Sequence, residues 1–261
     1  AGGASLDLTS IPRTATSWFA GVADDLHTRC GIDYSQTLIP LMPIANVTIG
    51  GIPTDATGQV VNGGWDSTVK GLFAAGDAAC SGLHGAALNS GDHLLGAIAS
   101  GELSGNAAAN QAASSKFSGS SQISVALTEA HHLHDSMLSS AGAEGVSAGM
   151  IQSTLATTMQ THMGTSRNAG GLKQAAASIS QLQEANIALS DSSPVMNTEL
   201  VSLLRTQSLL SVASAAVSAA VAREESRGNH VRSDFPTTDT EPPSHSLTSK
   251  DGTVTSLPLR S

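Results

Sequence analysis

The stretch of residues 197–228 constrains the fold most strongly, because it reads as one long helix with a single apolar stripe. Asn197 is a residue type that commonly caps a helix start, and Glu199 falls in the first turn. The apolar residues at helical spacing are Leu200, Leu203, Leu204, Leu210 and Val217. The pattern ends at Ser226, Arg227 and Gly228. A helix with one apolar stripe must bury it, so we expect a globular core around this helix.

The sequence argues against direct contact with a membrane or with nucleic acid. Its most apolar part, residues 206–222, is bounded by Arg205 and Arg223 and diluted by serines, which makes it too short and too weakly apolar to span a bilayer. The formal net charge of -9 disfavours binding to nucleic acid and to an anionic membrane surface. Any membrane association is therefore expected to be indirect, through a partner.

Few bulky side chains are available for a core. Hydrophobic residues make up 40% of the 261 residues but aromatic residues only 3%, so packing must rely on small aliphatic side chains and close helix approach.

Cys30 and Cys80 lie far apart without a CxxC spacing. This indicates neither a disulfide framework nor a zinc site, and it suits a reducing compartment.

The region between residues 38 and 79 has the texture of a sheet. Residues 38–43 form an extended apolar run punctuated by prolines, and residues 46–49 alternate as in a strand. Residues 69–79 are predicted to form a buried strand that ends in a glycine and an acid. A hairpin is expected before residues 59–61, where the turn-forming residues are Asp55, Thr57 and Gly58.

Helices are predicted for most of the remaining chain. A short helix is expected near the start, before a turn at Gly31, and residues 91–110 have helical spacing. Residues 112–121 form a serine-rich linker, and residues 123–183 read as helices broken by glycines between 164 and 171. The last thirty or so residues contain several prolines and read as loop-like. The prediction is an α+β fold, with short strands and a helix of an α/β domain followed by a helical C-terminal domain.

The sharpest local signal for a ligand is Gly76 followed by Asp77 at the end of the predicted strand. An acid at a strand end can accept hydrogen bonds from ribose or ribityl hydroxyls of a bound dinucleotide. The alternative is that Asp77 caps the helix that follows. No GxGxxG motif follows a predicted strand and no Walker-type loop occurs in the sequence. The chain therefore does not itself supply the usual pyrophosphate cradle.

A second candidate group surrounds His84 and Gly85. Asp92 and His93 follow shortly after, and a carboxylate can orient a histidine for acid–base work near neutral pH. The alternative, which we favour on residue pattern alone, is a glycine-rich turn whose polar groups are satisfied structurally.

Two clusters of cationic or titratable side chains have structural explanations. His131, His132 and His134 precede an aspartate at spacings that could ligate a metal, but no further ligand group is identifiable, so a solvated helix face is expected. No metal site is predicted. Arg227, His230 and Arg232 form a basic group that follows the long helix, where cations complement the carbonyl dipoles. Structural anchoring is the expected role of this basic group.

Several separated motifs, in the same order, resemble the flavoprotein subunit family of succinate dehydrogenase and fumarate reductase, the family of respiratory complex II. The family segments "GGIPT", "PGLFAAGE" and "HGANRLGGNSLLD" are similar to residues 50–54, 70–77 and 84–95. The family helix "NTDLVETLELQNL" resembles residues 197–209, and "ESRGxHxRxDFP" resembles residues 225–236. Because the motifs span nearly the whole chain, the resemblance is specific, and it is to the C-terminal portion of these proteins.

The resemblance assigns positions to an FAD site and to a substrate site. Asn46 stands where the family has a substrate-binding histidine, and Leu88 stands where it has an arginine that clamps a substrate carboxylate. Because leucine cannot make that contact, no catalytic residue is assigned. Asp92 and His93 replace an asparagine–serine pair, which puts a negative charge near the flavin. The implied cofactor-contacting positions are Gly76, Asp77, His84, Gly85, Gly91 and Leu94.

The resemblance also implies four regions and an incomplete flavin site. Residues 1–37 would be the tail of a capping domain, 38–109 the C-terminal part of an FAD-binding domain, 110–232 a helical domain and 233–261 an extended tail. The family's dinucleotide fold, flavin-linked histidine and proton-relaying arginine belong to an N-terminal half that this sequence does not contain. FAD is therefore expected only at an interface with a separate N-terminal half, and not in this chain alone. Such a piece would expose a sheet edge and apolar faces, so it needs a partner.

The function implied is that of a subunit of mitochondrial succinate dehydrogenase, on the matrix side of the inner membrane. Our leading hypothesis is a split or degenerate non-catalytic piece that supports succinate:quinone electron transfer, so the chain alone is not expected to be an enzyme. The expected partners are an N-terminal half or a full flavoprotein subunit, the iron–sulfur subunit and, indirectly, the membrane-anchor subunits. The alternatives are a catalytically competent half of a split flavoprotein, and a relic of an L-aspartate oxidase or fumarate reductase. Arg232 and residues 245–247 favour the succinate dehydrogenase branch.

Overall fold

The computed structural model describes residues 3–12, 20–45, 47–89, 91–116, 119–237 and 242–259. The helices in these residues are α1 Ala20–Cys30, α2 Asp92–Ser114, α3 Ser120–Ser139, α4 Ala148–His162, α5 Ala169–Glu184 and α6 Thr198–Ala222. The strands are β1 Ala4–Leu6, β2 Ile39–Leu41, β3 Ile52–Pro53, β4 Gln59–Val61, β5 Thr68–Phe73, β6 Ala79–Cys80, β7 Ser244–Thr248 and β8 Val254–Pro258. The predicted α+β class is confirmed.

Residues 1–45 form one compact unit. Strands β1 and β2 pair antiparallel, with Ser5 opposite Pro40, so the predicted extended run includes a strand. Helix α1 ends at Gly31, whose φ of 67° suits glycine and whose N–H donates to the carbonyl of His27 at 3.1 Å. The predicted short helix followed by a turn is therefore confirmed within the described residues.

Residues 46–261 form the second unit, whose described part contains three small two-stranded sheets. Strand β3 pairs parallel with β6, and β4 pairs antiparallel with β5. The carboxylate of Asp55 accepts hydrogen bonds from the N–H groups of Thr57 and Gln59, and Thr54 and Val60 form an antiparallel bridge. The predicted hairpin turn is thus present.

Two of the predicted strands are wrong. Residues 47–49 contain no strand, and position 46 lies outside the described residues. Residues 69–79 do not form one buried strand, because β5 ends at Phe73 and Leu72 is 50% exposed. Within the described residues β5 has β4 as its one strand neighbour, which leaves much of β5 in contact with solvent.

The core of the second unit lies between α4, α5 and α6. Its main cluster consists of Ile151, Leu155, Ala175, Ile179, Leu210, Ala213 and Val217. A second cluster of Leu189, Leu200 and Leu203 packs against the end of α3. Ala175 and Ala213 are 0% and 6% exposed, as expected for a core built on small side chains. Each fully buried leucine or isoleucine contributes roughly 1.5–3 kcal/mol to stability.

Helix α6 is the central helix of this core. Its N-cap is Asn197, as predicted, and the predicted stripe is buried except for Leu204, which is 43% exposed. It ends at Ala222, earlier than the predicted stop at 226–228. The prediction that this region is too short for a membrane span is wrong, since the 25-residue helix meets the length and composition of one. Seven of its residues are nevertheless buried in the protein, as in a core helix.

The remaining corrections concern segment ends. Helix α2 continues to Ser114 and α3 begins at Ser120, so the serine-rich linker is shorter than the predicted 112–121. Gly170 and Gly171 lie in the first turn of α5 and do not break a helix.

The C-terminal segment is not loop-like. Strands β7 and β8 form an antiparallel hairpin, with Ser246 opposite Ser256. A side-chain nitrogen of Arg223, just after α6, donates to the carbonyl of Ser244 at 2.6 Å. The hairpin is therefore tied to the end of the core helix, a long-range contact that local sequence does not indicate.

Candidate functional site

The six positions that the resemblance assigns to a cofactor lie on three consecutive pieces of the second unit. The first is a 3-10 turn, Gly76–Ala78, after β5. The second consists of residues 82–89, which we call the site loop, and it follows β6. The third is the start of α2. The parallel pairing of β3 with β6 places Ile52 opposite Ala79 at the base of this arrangement.

The 3-10 turn is fixed against the middle of α2. Gly76 has a φ of 61°, and its N–H donates to the hydroxyl of Ser100 at 2.9 Å. A Cβ at Gly76 would lie 3.4 Å from the Cβ of Ala97. Asp77 is exposed and does not cap α2, which follows Gly91 and has no side-chain cap. The capping alternative for Asp77 is therefore wrong, and the ligand interpretation stays a prediction.

The site loop packs against Gly96 of α2, the residue before Ala97. The imidazole Nε2 of half-buried His84 lies 3.0 Å from where a Cβ on Gly96 would stand, so the ring rests on the backbone of α2. Gly85 has a φ of 57° with open space around it. The turn at Gly76 and the ring of His84 therefore contact consecutive residues of α2, Ala97 and Gly96.

The start of α2 adds an apolar face. Gly91 precedes the helix with a φ of 88°. Leu94, Leu95 and Ile98 are 63%, 69% and 63% exposed. Exposed apolar residues grouped on one helix end indicate a surface that another protein segment covers.

The substrate clamp implied by the family is not present in the site loop. Leu88 is half-buried at the position of the family's arginine, and Asn46 lies outside the described residues. The sequence from 82 to 95 contains neither lysine nor arginine, and Asp92 is a half-buried acid. These residues present glycine backbone and the exposed carboxylate of Asp77 at the surface.

The basic group after α6 has the anchoring role that was predicted. The Nη1 of Arg232 donates to the carbonyls of Ala220 and Arg223, both at 3.1 Å, at the end of the helix. Arg227 pairs with Glu225, which is 7% exposed. These contacts satisfy helix-end carbonyls and compensate buried charge.

Arg167 also contacts this basic group, which the sequence analysis did not predict. Its Nη1 lies 2.9 Å from Nδ1 of His230, and Nε2 of that histidine lies 3.1 Å from the carbonyl of Arg223. This geometry suits a neutral imidazole that accepts from Arg167 and donates to the carbonyl. Burial lowers the pKa of Arg167, and burial together with nearby arginine charges lowers the pKa of His230. Nothing in the local sequence marks Arg167, because its partner is distant along the chain.

The described residues contain no cluster of three potential metal ligands. In the histidine-rich part of α3, Nδ1 of His134 lies 3.2 Å from the carboxylate of Asp135, and the surrounding side chains are exposed. Cys30 and Cys80 are free thiols.

A groove of about 330 Å³ lies between α3, α5 and α6. Its lining residues include Leu133, Leu182 and Gln207, and none of the lining residues belongs to the site loop.

Family models match both ends of the chain. The model described as "FAD binding domain" matches residues 3–94, and the model described as "Fumarate reductase flavoprotein C-term" matches residues 152–258. The fold and these matches define a class of flavoproteins in which an FAD-binding domain precedes a fumarate reductase C-terminal domain.

Curated relatives and solved structures narrow this class. The fumarate reductase flavoprotein subunit of Mycobacterium tuberculosis is 35% identical over 80% of this chain and 36% of its own length. The succinate dehydrogenase flavoprotein subunit of Rickettsia bellii is 32% identical over 92% of this chain and 41% of its own length. A mutant Escherichia coli quinol fumarate reductase FrdA superposes with a TM-score of 0.86 at 25% identity, covering 97% of this chain and 43% of that one. The chain belongs to the succinate dehydrogenase and fumarate reductase flavoprotein subunit family, and it spans about two fifths of these relatives' length.

Proposed function

We propose that this chain supplies the C-terminal portion of a complex II flavoprotein subunit and supports succinate:quinone electron transfer without being catalytic by itself. The observation that carries the proposal is the exposed apolar face of Leu94, Leu95 and Ile98 beside the candidate cofactor positions. An apolar face next to a ligand wall is suited to a protein partner that completes the site. Its proposed partner is the N-terminal portion of a flavoprotein, either as a separate half or within a full flavoprotein subunit.

FAD is proposed to bind only at the interface with that partner. Gly76, Asp77, His84, Gly85, Gly91 and Leu94 would form one wall of the site. The opposite wall, with the pyrophosphate cradle, would come from the partner, because this sequence has no GxGxxG motif. The iron–sulfur subunit would accept electrons, and the membrane-anchor subunits would be indirect partners; nucleic acid would not be a partner.

The proposal that this chain is not catalytic by itself rests on the missing substrate clamp. Leu88 cannot hold a carboxylate, and no lysine or arginine between 82 and 95 replaces the missing guanidinium. The domain limits at 37/38, 109/110 and 232/233 belong to the same proposal. The proposed location is the matrix side of the mitochondrial inner membrane, reached through partners; the curated relatives include mitochondrial and bacterial subunits.

A second candidate is a catalytically competent half of a split flavoprotein. It is favoured by the packing of His84 on Gly96, which gives the site loop a defined conformation. Succinate oxidation by the joined halves that is abolished by Asp77→Ala or His84→Ala would support this candidate. Unchanged activity after both substitutions would exclude it. A relic of L-aspartate oxidase or fumarate reductase acting outside respiration would instead co-purify without an iron–sulfur subunit.

The proposal is tested by isolating the native membrane complex that contains this chain and identifying every subunit by mass spectrometry. We expect an iron–sulfur subunit, membrane-anchor subunits and a flavoprotein polypeptide that carries the GxGxxG motif. A full-length flavoprotein in the same complex would make this chain an accessory subunit, and a lone N-terminal half would make it part of a split flavoprotein. Recovery without any flavoprotein or iron–sulfur polypeptide would contradict the proposal.

A further inference from the structure

The site loop is held by a turn that lies far along the chain. Arg227 and His230 form this turn by exchanging backbone hydrogen bonds of 2.8 and 3.0 Å. At its tip, the N–H of Asn229 donates to the carbonyl of Ala86 at 2.9 Å. A residue next to the end of the core helix therefore bonds the backbone at the centre of the site loop.

Gly228 makes this contact sterically possible. Its φ of 57° lies in the left-handed region that favours glycine. A Cβ at this position would stand 2.6 Å from the carbonyl carbon of Ala86 and 2.8 Å from its Cβ. Any side chain at 228 would push the turn and the site loop apart.

The turn is itself rigidly attached to the helical region. Arg227 donates to the carboxylate of buried Glu225 at 2.9 Å. His230 contacts the guanidinium of Arg167 on one side and the carbonyl of Arg223 on the other. A turn fixed at both ends can impose its position on a glycine-rich loop.

The C-terminal hairpin holds the start of the same loop. A Cβ at Gly82 would lie 2.8 Å from Cε1 of His245 in β7, so the imidazole rests on the loop backbone. His245 meets Trp65 edge to face at 5.4 Å, and Nε1 of Trp65 donates to the carbonyl of Pro258 at 2.8 Å. The site loop is thus held at Gly82 and again at Ala86.

We propose that Gly228 and Asn229 are positioning residues for the site loop, and that the turn 227–230 holds residues 82–89 in the conformation that meets the flavin. The role of the turn in FAD binding rests on the proposed function, whereas its effect on the conformation of the site loop does not. The turn acts through Ala86 and does not itself touch the ligand.

Hydrogen–deuterium exchange of the full chain tests the holding of the loop. The amides of Gly85 and Ala87 donate to carbonyls within the loop and report its closure. We expect Gly228→Ala to speed their exchange at least about tenfold. Gly142→Ala is the matched control, because Gly142 also has a positive φ, 84°, with open space around it, and lies outside both the site loop and the C-terminal hairpin. This control should leave the two amides unchanged.

A second variant keeps the test decisive if Gly228→Ala does not fold. His230→Ala loosens the turn without adding an atom near Ala86, and His132→Ala on the exposed face of α3 is its control. Unchanged exchange of Gly85 and Ala87 in Gly228→Ala, or in His230→Ala where the first variant is unfolded, would overturn the proposal.

The role of the turn in FAD binding is tested by titrating free FAD into the chain assembled with the flavoprotein N-terminal portion. We expect Gly228→Ala to weaken FAD affinity at least about tenfold, about 1.4 kcal/mol, with no change in Gly142→Ala. Faster loop exchange without this loss of affinity would overturn the positioning role. If the wild-type assembly binds no FAD, the proposed function fails, and the exchange experiment still decides whether the turn holds the loop.

Discussion

Arg232 and Asp234 form a two-pronged ion pair at the end of the core helix. Nε of Arg232 donates to one carboxylate oxygen at 2.8 Å, and Nη2 donates to the other at 2.9 Å. Their hydrogen bonding raises the pKa of Arg232 and lowers the pKa of Asp234 far below its usual range. Since Arg232 is only 1% exposed and also bonds the last carbonyls of α6, one buried cation closes the C-terminus of this helix.

Removing this cation should be costly. Arg232→Ala leaves the carbonyls at the end of α6 without their donor and is expected to lower the free energy of unfolding by about 3–5 kcal/mol. Arg205→Ala, on the exposed side of the same helix, should change it by less than about 0.5 kcal/mol. Urea denaturation measures both. A loss below about 1 kcal/mol for Arg232→Ala would contradict the anchoring role.

His230 should make the protein less stable in mild acid. Arg167, Arg223 and Arg232 surround the imidazole, and burial is the largest cause of its lowered pKa. Above the ordinary value of 6.5 both folded and unfolded states are neutral, so stability is fully present. As the pH falls below 6.5 the unfolded state takes up the proton first, so stability is lost until the folded pKa is passed.

Urea denaturation at several pH values between about 7.5 and 5.5 checks this dependence. His230→Gln should reduce the slope, whose upper limit is about 1.4 kcal/mol per pH unit for one group. His245→Gln should reduce it further, because burial and Arg223 also lower the pKa of His245. A slope that is the same in the wild type and in His230→Gln would show that the imidazole is not held neutral.

Asn197 should contribute more than an ordinary helix cap. Its Oδ1 accepts from the N–H of Leu200 at 2.8 Å, and its Nδ2 donates to the carbonyls of Asp191 and Ser193. We expect Asn197→Ala to cost about 2 kcal/mol, because both the acceptor and the donor are lost. Asn168→Ala removes the exposed cap of α5 and is the control, at about 1 kcal/mol. Equal losses for Asn197→Ala and Asn168→Ala would refute the added role of the donor.

Restoring the clamp should restore dicarboxylate binding in the assembled subunit. Leu88→Arg places a guanidinium where the family has one, and a bidentate contact to a carboxylate contributes roughly 1.5–3 kcal/mol. We therefore expect succinate to bind at least about tenfold more tightly, measured by flavin absorbance or calorimetry. Leu83→Arg adds the same charge at a 73% exposed position of the same loop and should have no such effect. Equal responses of the two variants would show that Leu88 does not occupy the clamp position.

Local sequence patterns predicted the features that depend on neighbouring residues. The cap at Asn197, the buried stripe of α6 and the basic group at its end all follow from helical spacing and helix-end chemistry. The strand predicted at 69–79 failed because burial depends on which strands lie beside it, and β5 has one neighbour among the described residues.

Long-range contacts were not predictable in this way. Arg223 fixes the β7–β8 hairpin, and Gly228 and Asn229 fix the site loop. In each case the contacting residues lie far apart in the sequence. For the site itself, family motifs indicated the candidate residues, whereas the packing of His84 and Gly76 on adjacent residues of α2 required the structure. The roles of these residues toward FAD stay predictions.

FAD binding by the chain alone, compared with FAD binding by the chain assembled with a flavoprotein N-terminal portion, decides whether the cofactor site needs both parts. Equilibrium dialysis with free FAD, followed by measurement of protein-bound flavin, compares the two preparations at equal protein concentration. We expect no retained flavin for the chain alone and about one FAD per assembled pair, with no FAD retained by the N-terminal portion at the same concentration. Stoichiometric FAD on the chain alone, or none on the assembled pair, would show that the cofactor site does not form at this interface.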